Sequence, residues 1–150
     1  MTDTKFLIVI ERIKSLLSDK YPFGADDLVQ QVVGSVILIS PFIFTEEVWR
    51  IAETMDAYRT GIALLATFLT GHGVLYTAKK DRDWDSERKF LGVTFRYLSL
   101  MTVAFGTVFT IIYISGSAQT FNAGTIQTLK VISITSIFSV IGAAITDSLV

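Results

Sequence analysis

Tyr97–Leu129, YLSLMTVAFGTVFTIIYISGSAQTFNAGTIQTL, runs for 33 residues without a charged side chain. A hydrocarbon core of about 30 Å is crossed by about 20 apolar residues of helix, so this stretch exceeds one crossing. It is divided by SGSAQTFNAGT, whose Gly, Ser and Asn content marks a turn. Together with Val131–Thr146, another 16 uncharged residues, it predicts two spans, at about 90–115 and about 126–149. Working toward the N-terminus, Thr60–Ala78 is uncharged over 19 residues and Leu28–Thr45 over 18, which predicts spans at about 58–78 and about 27–49. The expected fold class is all-α: a single polytopic membrane domain over residues 1–150 with four transmembrane helices.

Composition agrees. Over 150 residues the hydrophobic fraction is 51%, the charged fraction 18% and the mean hydropathy +0.53, against roughly 25% charge in a soluble domain. The absence of cysteine excludes disulfide scaffolds, thiolate metal sites and cysteine nucleophiles, and a single histidine excludes a His-rich metal site. A net charge of −1 gives no general attraction to nucleic acid.

Ahead of the first span, Phe6, Val9, Ile10, Ile13, Leu16 and Leu17 recur at helical spacing. Residues 2–20 are therefore expected to form an amphipathic helix, on the membrane surface or packed against the protein. The apolar run Phe6–Ile10 is shorter than the core of a secretory signal, and Tyr21-Pro22-Phe23-Gly24 ends the helix. Cations concentrate in this segment (Lys5, Arg12, Lys14, Lys20) and in the second loop (Lys79, Lys80, Arg82, Arg88, Lys89), whereas the first loop has Arg50 and Arg59 and the third has none. The positive-inside rule then puts both termini in the cytoplasm of a cell with an inner membrane, as four spans require. Trp49, Tyr58, Tyr76 and Phe121 fall where interfacial aromatic residues are expected.

Small and polar residues gather on one side of each span: Asp27, Gln30, Gln31, Gly34, Leu38, Pro41 and Thr45; Thr60, Ala63, Thr67, Gly71 and Val74; Arg96, Ser99, Val103, Gly106, Thr110, Tyr113 and Ser117; Thr128, Thr135, Ser136, Ser139, Ala143, Thr146 and Asp147. Such stripes serve close helix packing or line a solute path. Two opposite charges at similar depth, Arg96 and Asp147, are expected to pair, with Asp26 and Asp27 competing for Arg96, as a latch or a gate. At the other end Glu46 and Glu47 follow Pro41, which removes a backbone donor and is expected to kink the helix. With Thr45 they offer hard oxygen ligands suited to Ca²⁺, Mg²⁺ or Na⁺, or, repeated in a homo-oligomer, an acidic ring. The alternative is the wet end of a helix facing Arg50 and Lys130. His72, between two glycines, is a proton relay or a packing group.

PFIFTEEVW and the closing GAAITDSL resemble a family of small prokaryotic integral membrane proteins classed as a domain of unknown function. In that family a proline-containing first span ends in a Thr-x-Glu-Val-Trp-like motif, matched here by Thr45, Glu47, Val48 and Trp49, with Asp147 in the last helix. The resemblance implies a membrane fold and no activity. From the residues, the expected function is an oligomeric cation channel or transporter, with Thr45, Glu46 and Glu47 as an external cation site and Asp27, Arg96, Ser136, Ser139 and Asp147 along the path or at its gate. Its partners would be the bilayer, an inorganic cation and further copies of the chain, with no cofactor beyond a bound metal cation. The competing expectation is a non-transporting accessory or assembly protein. An enzyme is not expected, because Ser136 or Ser139 with His72 is the only nucleophile and base available and no motif joins them.

Overall fold

The computed structural model describes residues 7–10, 24–77, 89–90 and 93–149. Residues 7–10 are helical; the rest of the predicted N-terminal helix and residues 79–88 of the second loop lie outside the described residues. The chain is α-helical: α1 (Ala25–Ile43), α2 (Glu46–Thr54), α3 (Ala57–Thr77), α4 (Phe95–Ser115), α5 (Ser117–Thr120) and α6 (Thr125–Ser148). A two-residue antiparallel pair, Lys89–Phe90 with Val93–Thr94, precedes α4. Among the described residues four helices, α1, α3, α4 and α6, are long and apolar enough to cross a membrane. At 1.5 Å per residue their 19 to 24 residues reach about 28–36 Å. The exposed residues include Val29, Val33, Ile37, Leu65, Leu69, Phe109 and Ile114, an apolar coat that suits lipid rather than water. The protein is a multi-pass membrane protein.

Gly24 opens α1, and Asp27 accepts a hydrogen bond from the Gly24 amide at 2.8 Å, satisfying a donor that the helix leaves free. Pro41 lies inside the last turn, and α1 stops at Ile43. The expected span to Trp49 is thereby corrected. Thr45 is extended (φ −103°, ψ 143°), and Glu46 starts a separate helix that buries Val48, Trp49 and Ala52. Trp49 is 1% exposed, so it is no headgroup-belt residue: its Nε1 donates to the Ile43 carbonyl at 2.9 Å, capping one of the oxygens left at the end of α1, and its ring stacks on Phe121. Hydropathy misses this break because it sums side chains and is blind to the backbone turn. The third span also starts later than expected, at Phe95, after the short strand pair. The predicted turn between the last two spans is present, with Gly116 in the left-handed region (φ 66°) ending α4 and Asn122 (φ 50°) leading toward α6.

The centre of the bundle is α6, half buried over its most apolar stretch where α3 is 17% buried. The helices α1, α3 and α4 all pack on it. Where α1 crosses α6, Gly34 and Gly142 meet backbone to backbone, and a Cβ on either would collide with the other's carbonyl oxygen. One apolar cluster, including Ile39, Ile43, Trp49, Val108 and Val131, sits near α2; a second, including Leu75, Leu100, Met101, Val140 and Ala144, lies toward the opposite end.

Candidate functional site: a buried carboxylate–guanidinium cluster

The two ends of the bundle carry different chemistry. At the end where α1 and α4 begin and α6 finishes, Arg96 Nη1 donates to Asp147 Oδ1 at 2.8 Å. The Asp147 side chain is 0% exposed and that of Arg96 is 7% exposed. The guanidinium also reaches both oxygens of Asp27 at 3.4 Å, and Asp27, 22% exposed, is the member open to the surface. Gln31 Nε2 donates to Asp147 Oδ1 at 3.1 Å, and the Ser99 hydroxyl donates to Gln31 Oε1 at 3.1 Å. The expected pairing of Arg96 with Asp147 is present, with Asp27 as its second carboxylate. Gln31 and Ser99 belong to the polar stripes, but only the folded bundle joins them to the ion pair. Their signal in the sequence is spacing: Gln31 lies one turn beyond Asp27, and Ser99 lies three residues beyond Arg96.

The placement runs against the local electrostatics. Arg96 is the second residue of α4, where the helix dipole presents its positive end, and Asp147 lies in the last turn of α6, at the negative end. Neither charge gains from its own helix; Asp147 is held by Arg96 and Gln31, and Arg96 by Asp147 and Asp27. Asp27, in the first turn of α1, is placed favourably. Charges buried inside membrane-spanning helices against local preference are candidates for a functional site.

Toward the middle, the predicted hydroxyl stripe of α6 faces inward. Ser139 donates to the Ala104 carbonyl at 2.9 Å and accepts at its own carbonyl from Ser35 at 3.1 Å. Ser136 and Thr135 donate to Ile132 and Val131 within their own helix, and Thr146 bridges to the Gln30 carbonyl at 2.8 Å. The stripe of α4 splits: Arg96 and Ser99 face the bundle, while Gly106, Thr110 and Tyr113 are exposed. His72 is exposed on α3 with its ring against Tyr76, 4.3 Å between centroids.

At the opposite end Thr45, Glu46 and Glu47 are all exposed and do not act as a unit. The Thr45 hydroxyl donates to the Phe42 carbonyl at 3.0 Å. Glu46 lines a cleft of about 270 Å³ with Arg50, Glu53, Asn122 and Gln127, whereas Glu47 is not among its lining residues. Lys130 donates to the Met55 carbonyl. Among the described residues no three His, Asp or Glu side chains are grouped to hold a metal ion. The chain matches no protein-family model, no curated protein and no solved structure.

Proposed function

We propose that the chain is a subunit of an oligomeric cation channel or transporter of a prokaryotic inner membrane, with the Asp27–Arg96–Asp147 cluster as its ionisable centre on the cytoplasmic side. One observation carries this reading: a fully buried carboxylate and a guanidinium stand inside membrane-spanning helices at the helix ends where each is electrostatically disfavoured. Asp27 shares the same guanidinium and is partly exposed, so a cation or proton arriving at Asp27 weakens its hold on Arg96 and alters the charge felt by Asp147. The middle of the subunit is filled by α6, so the path runs between copies of the chain or opens by movement of its helices. Glu46, Glu53 and Asp56 at the other end concentrate cations at the external face.

Purified protein in liposomes is the test. Flux of H⁺, Na⁺, K⁺ or Ca²⁺ is expected, reduced at least about tenfold by Asp147→Asn and by Asp27→Asn. No flux of any of these ions, or flux indifferent to both changes, overturns the proposal. A second reading, a non-transporting assembly module, is favoured by the hydrogen bonds of Ser136, Ser139 and Thr135 to backbone carbonyls, which make the stripe a packing device. Under that reading Asp147→Asn lowers the melting temperature, and neither the parent protein nor any variant conducts.

A further inference from the structure

The cleft at the α2 end sets Arg50 between Glu46 and Glu53, to which the transport reading gives only a general attraction for cations. Glu46, Arg50 and Glu53 recur at i, i+4 and i+7 along α2, so they share one face. All three are exposed and line the same cleft of about 270 Å³. Among the described residues none of the three joins an ion pair, as suits exposed charges that gain little from pairing over hydration, so all three stay open to a ligand. A guanidinium flanked by two carboxylates at the rim of a cleft is the complement of a ligand carrying an anion and a cation a few ångströms apart.

The depth of the cleft narrows the class. It lies where α1 has ended at Ile43 and α6 is starting at Thr125, the level at which the spans leave the hydrocarbon. Its inner wall is the stacked Trp49–Phe121 pair. Charged groups at that level stand where the polar heads of the surrounding lipid lie. The net negative balance of two carboxylates to one guanidinium disfavours an anionic head.

We infer that the cleft binds a phosphate–ammonium zwitterion, with phosphate on Arg50 and ammonium on Glu46 and Glu53, as in the phosphoethanolamine headgroup. The inference is independent of the transport reading and fails or stands separately from it. The full chain, purified in mild detergent, would be offered equal phosphatidylethanolamine and phosphatidylglycerol and the retained lipid measured by native mass spectrometry. In parallel its thermal unfolding would be followed with soluble O-phosphoethanolamine, ethanolamine or inorganic phosphate. Preferential retention of phosphatidylethanolamine is expected, with about tenfold or greater weakening in Arg50→Gln and in Glu46→Gln/Glu53→Gln. Stabilisation by O-phosphoethanolamine as well identifies the headgroup as sufficient and a free zwitterion as an occupant. Lipid retention without it shows that the tail is needed and the source is the bilayer. Equal retention of both lipids with no shift by any soluble probe overturns the inference, as does retention that survives both variants. Stabilisation by ethanolamine alone, undiminished in Arg50→Gln, also overturns it and leaves a simple cation site. The three side chains are exposed, so the variants are expected to fold; unchanged melting without ligand verifies this.

Discussion

Both ends of the bundle gather carboxylates around one arginine, and the two groupings behave in opposite ways. At one end Arg96 is 7% exposed and holds two carboxylates brought from different helices, α1 and α6. At the other, Arg50 is exposed between two carboxylates of its own helix and pairs with neither. Nearest neighbours in sequence fail to bind while partners 51 and 69 residues away succeed. The reason is solvent: an exposed pair gains little over hydration, whereas charges removed from water must find each other.

That contrast can be attacked most strongly through the helix crossing that creates the buried cluster. Gly142→Leu would push α1 from α6 and separate Gln31 from Asp147; no folded, monodisperse protein is expected by size-exclusion chromatography. Next in size, Asp147→Ala removes the shorter carboxylate contact from the buried guanidinium and should cost about 3–5 kcal/mol in detergent unfolding. The double change Arg96→Met/Asp147→Leu should recover most of that loss, because buried desolvation is then avoided on both sides. If the double variant is no better than the single one, Arg96 is held chiefly by groups other than Asp147. The smallest effect belongs to the exposed end, where Glu46→Gln/Glu53→Gln should change stability by less than about 0.5 kcal/mol. A large loss there would remove the distinction between the two ends.

The membrane, the number of spans and the positions of α3 and α6 were legible in the charge-free runs, because hydropathy is a local sum and each run is long enough to settle it. The pairing of Arg96 with Asp147 was legible too, from two opposite charges at matching depth. The first span misled because Val48 and Trp49 follow closely on its uncharged run, which ends at Thr45, and side-chain polarity does not show that the backbone turns at Phe44 and Thr45. Trp49 therefore looked like an interfacial anchor, while the turn carries it inward to cap Ile43 and stack on Phe121. The glutamates show the same limit. Residues 45–47 are adjacent in sequence, yet the start of a new helix puts Glu46 with Glu53 at a cleft and leaves Glu47 outside it.

Sequence alone thus settled the solvent and the crossings, because apolar length and charge placement are properties of each segment taken separately. The tertiary structure chose the partners. Which half of the α4 stripe faces inward, which amide joins the ion pair and which helix fills the centre depend on how closely α1 and α6 approach. That distance is set by two glycines, Gly34 and Gly142, 108 positions apart, whose missing side chains let the backbones touch.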